Sequence, residues 1–332
     1  MISVSDLRFG HIGLGGASRG HAAIVNGDAG STIVAVCDPS AEAQESFVTA
    51  LGEGGSSAKR YTDCTEMLAA EELDAVVIAT PHTQHAEQIR TCLDAGIHVM
   101  VEKPMATTAR DARDLIEASE SGGKVLAIAY QRHGDGEFIK ARELIQSGAI
   151  GDVRLIHVLI AQNCLSIFET GATWRADPEL SGGGHFMDTG SHINDMMLWI
   201  SGLEPKRVQA FISNEGNLVD VNTSLTVEFT NGAVASMSYT SLAPEWREEF
   251  RFYGPDGMIR IGKGEPLLLC QHNRDQVLPR PAGNGQRPAD NFLAAIRGEA
   301  EVQAPPICGL RVAQLTEAAY ASAASGKPHH VG

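Results

Sequence analysis

The stretch AVVIATPHTQHAEQIRTCLDAGIHVMVEKPMA, from Ala75 to Ala106, admits few folds. Ala75-Val76-Val77-Ile78-Ala79 is a short unbroken apolar run, the pattern of a parallel strand buried on both faces. Thr80-Pro81 ends it, because proline lacks the N–H that a central ladder needs. His85 to Ala95 spaces Ile89, Cys92 and Leu93 along one side of a helix, with Gly96 as its C-terminal cap. Ile97 to Val101 reads as the next strand, and it delivers Glu102, Lys103 and Pro104 to the carboxyl edge of a sheet. Ligands bind at that edge in open α/β sheets, which marks the Glu-Lys pair as functional.

A second unit of the same kind opens the chain. Leu7 to Leu14 reads as a strand running into Gly13-Leu14-Gly15-Gly16-Ala17-Ser18-Arg19-Gly20-His21, with a helix ending near Asn26-Gly27. Ile33 to Cys37 is the following strand, and Asp38 sits at its end. Strand, glycine turn, helix, strand and terminal acid within about thirty residues match the dinucleotide-binding βαβ unit. Gly13, Gly15 and Gly16 permit close approach to a pyrophosphate, and Ala17, Ser18 and Arg19 begin a helix whose amino terminus supplies N–H donors. The third glycine of G-x-G-x-x-G is replaced by Ser18, still small enough for close helix–strand packing. Asp38 accepts hydrogen bonds from both ribose hydroxyls and repels a 2′-phosphate, which favours NAD over NADP. A glycine-rich turn in another α/β domain would show the same first residues.

The chain continues in the same style to about residue 150. Helices are predicted over Ser40–Leu51, Thr62–Ala70, Asp111–Ser121 and Glu137–Ser147, and a strand over Val125–Ala129. These units describe a doubly wound sheet. After Gly151 the pattern becomes strands in succession: Val153–Gln162, Pro205–Ser213, Val221–Phe229, Ala233–Leu242, Glu249–Tyr253 and Gly257–Ile261. Asn231-Gly232 and Pro255-Asp256-Gly257 between them are hairpin and turn signals. An open antiparallel sheet is expected, one face covered by a helix near 187–200. Ala289–Arg297 and Gly309–Ala324 read as helices, 262–286 as a loop-rich and mobile stretch, and His329-His330 as disordered surface residues. At 332 residues the chain is long for one core, so two domains are expected, 1–130 and 131–332, with the terminal helices packing back on the first.

Charge narrows the partners. A formal net charge of −15 opposes nucleic acid and anionic membrane surfaces. No apolar run reaches the length of a membrane span, and MISVSDLRFG carries no basic segment leading into one, so a cytoplasmic location is expected. The cysteines at 37, 64, 92, 164, 270 and 308 are scattered without a C-x-x-C pair, which suggests buried thiols rather than a zinc site or disulfide framework.

The segment from Trp174 to His192 carries little that a core needs. Gly182, Gly183 and Gly184 let the backbone approach another surface. Asp188 and His192 are four apart, hence on one helix face with Cβ atoms about 5–6 Å apart. A carboxylate beside an imidazole suits a general base, although a helix-start acid followed by a solvated histidine has the same spacing.

Together these residues resemble the Gfo/Idh/MocA family of NAD(P)-dependent oxidoreductases. The resemblance rests on the Gly13–His21 turn, Asp38, Ala79-Thr80-Pro81-x-x-x-His85, Ala95-Gly96-x-His98-Val99-x-x-Glu102-Lys103-Pro104, Ser147-Gly148-x-Ile150-Gly151 and the Gly-Gly-Gly-x-x-x-Asp188-x-Gly190-x-His192 block. It implies an α/β protein: an N-terminal Rossmann domain with a doubly wound parallel sheet, then an α+β domain whose large, mostly antiparallel open sheet makes a homodimer or homotetramer. It further implies Lys103, Asp188 and His192 as catalytic residues, Lys103 touching both nicotinamide ribose and substrate hydroxyl, and His192 accepting the hydroxyl proton. Thr80, Pro81, His82, His85, Glu102, Gln131, Trp174 and Arg175 fall where the family lines its cofactor. Arg132, His185 and Thr189 are further candidates for substrate contact.

The expected activity is NAD-dependent oxidation of a secondary alcohol on a sugar or cyclitol, with no metal required. Three alternatives stay open: a glycoside-cleaving enzyme that retains NAD, a sugar sensor without turnover, and reduction of an imine or dihydrodiol.

Overall fold

The computed structural model describes residues 6–55, 57–272, 274–278 and 285–332. The first five residues, and with them part of the reading of the amino terminus, lie outside the described residues, as do 273 and 279–284 of the predicted loop. The chain divides into two compact units.

Unit 1 comprises residues 1–106, 110–131 and 286–307. Its elements are β1 (Leu7–Ile12), α1 (Gly16–Gly27), β2 (Ser31–Cys37), α2 (Ala41–Leu51), β3 (Lys59–Tyr61), α3 (Cys64–Ala70), β4 (Ala75–Ile78), α4 (His85–Asp94), β5 (His98–Val101), α5 (Ala109–Gly122) and β6 (Leu126–Ile128). The sheet order is β3-β2-β1-β4-β5-β6, parallel throughout. Order reverses between β1 and β4, the topological switch point at which such sheets bind ligands. All four residues of β4 are buried, as a strand flanked on both faces requires. The short edge strand β3 has no counterpart in the sequence reading, because Lys59-Arg60-Tyr61 lacks an apolar pattern.

Unit 2 comprises residues 107–109, 132–285 and 308–332. It contains α6 (Gly136–Gln146), β7 (Leu155–Asn163), α7 (Pro178–Ser181), α8 (His185–Ser201), β8 (Pro205–Ser213), β9 (Asn222–Phe229), β10 (Val234–Thr240), β11 (Leu242–Gly254), β12 (Gly257–Gly262), β13 (Glu265–Gln271) and β14 (Arg274–Val277). Next come α9 (Pro288–Ile296), which belongs to unit 1, then α10 (Pro306–Ser325), almost wholly in unit 2, and β15 (His329–His330). In unit 1, the Phe292 ring of α9 meets Phe9 edge-on, and Arg297 pairs with Asp28.

The nine-stranded sheet runs β14-β13-β12-β11-β7-β10-β9-β8-β15. Pairing is antiparallel except between β7 and β10 at its centre. One face is apolar. Ile156, Val158, Ile160, Val227, Met237, Phe250 and Phe252 pack there against Phe186, Ile193, Met196 and Met197 of α8, with Phe138 and Leu315 from α6 and α10. The other face keeps Ser224, Thr226 and Phe211 exposed, the last at 70%.

Two expectations are corrected here. The stretch read as a loop from 262 holds the β13–β14 hairpin, which went unseen because no Gly or Pro marks its turn; His272 enters the turn at a φ of 50°. His329 and His330 are ordered: they pair with Val208 and Arg207 of β8, and His329 Nε2 lies 2.8 Å from Ser325 Oγ. An edge strand of two residues is set by its distant partner and leaves no local pattern.

Among the described residues, no helix is long and apolar enough to cross a membrane.

Candidate active site

In unit 1 the glycine turn lies at the switch point. Gly13 N–H donates to Cys37 O at 2.9 Å, and Gly13 adopts a φ of 79°. A Cβ there would stand 2.6 Å from the carbonyl of Ala79, so neither the conformation nor the space admits another residue. Gly15 and Gly16 differ: a Cβ would meet nothing within 4 Å, and both are exposed with Ala17 and Arg19 at the start of α1. No side chain caps α1, so its first N–H groups are available to an anion. Ser18, at the third-glycine position, is fully buried with its Oγ 3.1 Å from His11 Nδ1. Its side chain therefore packs helix against strand and does not face a cofactor. Asp38 braces the same turn, Oδ2 accepting from Leu14 N–H and Oδ1 from Ser40 N–H, both at 2.9 Å.

The carboxyl edge of β4 and β5 carries the second group. Thr80 Oγ1 donates to Gln88 Oε1 at 2.6 Å. Pro81 is half-buried and begins the turn holding His82, which is buried. His85 is fully buried, its Nδ1 2.7 Å from Pro104 O and its Nε2 2.9 Å from Thr80 O. It thus joins the end of β4 to the Glu-Lys-Pro turn, and the cofactor role expected for it is corrected to that of a clamp. Burial pushes its pKa down to about 4, with His82 adding to the shift and the two carbonyls opposing it. Glu102 Oε1 accepts from His21 Nε2 at 2.9 Å. Burial alone would raise Glu102, but the His21 hydrogen bond and charge, with Lys103 beside it, outweigh burial and hold the carboxyl below its ordinary range. Lys103 is half-buried and follows directly, joined to Pro104 by a cis peptide. Gln131 is exposed just after β6.

In unit 2 the chemistry gathers on the first half of α8. This helix begins at Gly184, which has no side chain to cap it. Asp220 caps it from a distance: Oδ1 accepts from Gly184 N–H at 2.8 Å and Oδ2 from Phe186 N–H at 2.7 Å, while Tyr320 Oη donates to Oδ1 at 2.6 Å. A Cβ on Gly184 would collide with the Asp220 backbone, and one on Gly183 with the Tyr320 hydroxyl. The glycine run is thus a docking surface for Asp220 and Tyr320, two residues the sequence reading did not single out.

His185, Asp188, Thr189 and His192 fall at i, i+3, i+4 and i+7, one face of α8. Asp188 is 6% exposed and accepts from Arg175 Nε at 2.9 Å. The Arg175 guanidinium lies 4.3 Å from the Trp174 ring centroid, which fixes its plane. Thr189 and His192 are half-buried. His185 is fully buried, edge-on to Phe168 and 2.8 Å from Gln162 Oε1, so direct substrate contact by its ring is corrected to a supporting role. Arg132 is corrected likewise: its guanidinium pairs with the buried Glu248 carboxylate and lies over the Phe138 ring. Among the described residues one group, His133, Asp195 and Cys308, brings metal-ligating atoms within 4.8 Å of one another. His133 Nε2 and Asp195 Oδ2 are already hydrogen-bonded at 2.7 Å, and burial raises the Cys308 thiol, favouring its protonated form.

A parallel six-stranded sheet with a glycine turn at its switch point, followed by a nine-stranded open sheet and a polar helix face, defines a two-unit dinucleotide-dependent oxidoreductase. The chain belongs to the Gfo/Idh/MocA family. The family's NAD-binding Rossmann-fold oxidoreductase domain matches residues 7–130, and its C-terminal domain matches 138–260. Inositol 2-dehydrogenase of Rhizobium meliloti is 27% identical over 96% of this chain and 97% of that protein. D-glucoside 3-dehydrogenase of Escherichia coli is 28% identical over 97% of each. The WlbA dehydrogenase of Chromobacterium violaceum, solved in complex with NADH and UDP-GlcNAcA, superposes with a TM-score of 0.87 at 25% identity, covering 100% of this chain and 99% of that one.

Proposed function

We propose that this protein catalyses NAD-dependent oxidation of a secondary alcohol on a sugar, sugar derivative or cyclitol. The observation that carries the reading is the face of α8 on which Asp188, Thr189 and His192 stand together on an otherwise buried helix. Bound NAD supplies the hydride acceptor. Gly13, Gly15, Gly16, Ala17 and Arg19 would hold its pyrophosphate at the amino terminus of α1, and Asp38 its ribose. Each Asp38 oxygen already accepts one backbone N–H and retains a lone pair for a ribose hydroxyl, whereas a 2′-phosphate would meet its negative charge.

His192 is assigned the hydroxyl proton of the substrate, as general base. Asp188, paired with Arg175, stays anionic; it orients a neighbouring hydroxyl and favours the imidazolium that His192 becomes. Lys103 is assigned to the developing alkoxide, which an ammonium group stabilises electrostatically.

The exposed side of the nine-stranded sheet, with Phe211 protruding, supports pairing of two copies through that face. Light scattering on Phe211→Asp would then report a smaller particle than the parent.

The test of the activity is absorbance at 340 nm with NAD and a panel of sugars and inositols, beside Lys103→Ala. NADH formation lost in the variant supports the reading. Silence across the panel, with aryl glycosides cleaved and no net NADH, replaces it with NAD-retaining glycoside cleavage. Silence in both assays with sugar binding intact leaves a sensor.

A further inference from the structure

On β7 the residues facing the apolar side of the sheet alternate strictly: Ile156, Val158 and Ile160 are each fully buried. The next position in that row is Gln162. A glutamine in line with three core residues needs a reason, since burying an amide without partners costs free energy. Its oxygen has its partners. Gln162 Oε1 accepts from His185 Nε2 at 2.8 Å and from Thr189 Oγ1 at 3.1 Å. The Cys164 thiol also points at this oxygen, at 3.8 Å. In this arrangement all three groups present donors to the amide oxygen, which corresponds to the Nε2–H form of His185.

With the oxygen so engaged, the amide can turn only its NH2 outward. Gln162 is half-buried, and among the described residues its amide nitrogen has no hydrogen-bond partner. The two residues that hold it, His185 and Thr189, lie on the same helix face as Asp188 and His192. We propose that Gln162 is a substrate-recognition residue, donating a hydrogen bond to an oxygen of the sugar or cyclitol, with His185 and Thr189 as positioning residues that fix its orientation. This rests on the dehydrogenase reading above. Because the amide presents only donors, it requires an acceptor on the substrate; a deoxy position there leaves a donor unmatched and is rejected.

The test compares wild type with Gln162→Met and Gln162→Glu, using NAD with myo-inositol, methyl β-D-glucoside and their singly deoxygenated analogues. Melting temperature and NADH binding, read by fluorescence, establish that each variant is folded. In the wild type, one deoxy position should lower kcat/KM by roughly 10- to 100-fold relative to the parent sugar. Gln162→Met should lose activity on the parent by a similar factor and be nearly indifferent to that deoxy position, a coupling that a merely structural role would not produce. Gln162→Glu keeps the acceptor that His185 and Thr189 need but offers no N–H, so it should show the same pattern even if the methionine variant is unstable. Equal sensitivity of wild type and a folded variant to every deoxy position overturns the proposal and leaves the dehydrogenase standing. Absence of turnover by the wild type on every sugar and cyclitol overturns both.

Discussion

The Asp220 carboxylate takes the N–H of Phe186 at 2.7 Å, and so a residue ahead of β9 supplies the cap that α8 lacks in its own sequence. The same carboxylate binds Gly184 N–H and the Tyr320 hydroxyl, and it is 3% exposed. Asp220→Ala removes all of these acceptors at once and leaves buried donors unmatched. The expected cost is roughly 3 kcal/mol, seen as a lowered urea midpoint, with Asp220→Asn intermediate because it keeps one oxygen. Equal stability of all three proteins would show that α8 starts without this cap.

On the proposed function, Arg175 acts through the Asp188 carboxylate it pairs with. Arg175→Met keeps a long stem against Trp174 but removes the cation from a carboxylate whose side chain is 8% exposed. Hydrogen bonds to charged groups contribute roughly 1.5–3 kcal/mol, so kcat/KM should fall about 10- to 100-fold while the melting temperature changes little. A large fall in melting temperature with unchanged kcat/KM would assign Arg175 a structural role only.

On the proposed function, cofactor choice rests on the Asp38 carboxylate. Asp38→Ser combined with Pro39→Arg replaces a charge that repels a 2′-phosphate with one that attracts it. The ratio of kcat/KM for NADP over NAD should rise by at least about tenfold, one unlike-for-like charge contact. Some activity with either cofactor should be lost, because Leu14 N–H loses its acceptor. An unmoved ratio would remove Asp38 from cofactor selection.

Acid should unfold the protein early. Burial pushes His85 from 6.5 down to about 4, and pushes His11 to about 3 with His21 adding to the shift. Below pH 6.5 the unfolded chain takes up protons that the folded one refuses, so both groups favour folding fully above that pH. Their contribution is lost as pH falls toward 4 for His85 and 3 for His11, by up to about 2.7 kcal/mol per pH unit for the pair. Urea midpoints between pH 7 and 4.5 should fall less steeply for His85→Gln than for the parent. Parallel curves would mean that His85 titrates freely.

Much of the local structure that carries the candidate site was legible from spacing. The buried run of β4, the glycine turn and Asp38 are local signals, because a parallel strand and a phosphate-binding turn write themselves into consecutive residues. That Asp188 and His192 share one helix face follows from their spacing, whereas the roles proposed for them come from the family resemblance. Sequence could not separate residues on that face by depth: His185 looks like its neighbours, yet it is fully buried behind Gln162. His85 and Ser18 sit inside matching motifs but spend their polar atoms on the protein itself. The signal for Gln162 was present, as a polar residue in phase with Ile156, Val158 and Ile160, but its meaning depends on what stands opposite.

By itself, the sequence determined the alternation of strands and helices, the change to an open sheet after Gly151, and the residue types at each strand end, since these depend on neighbours within a few positions. Tertiary structure alone decided that β7 and β10 pair in parallel, that α9 joins unit 1 while α10 joins unit 2, and that Asp220 and Tyr320 hold the start of α8. Those are pairings between distant segments, and the free energy that selects them comes from burial and hydrogen bonds that exist only once the chain has brought both partners together.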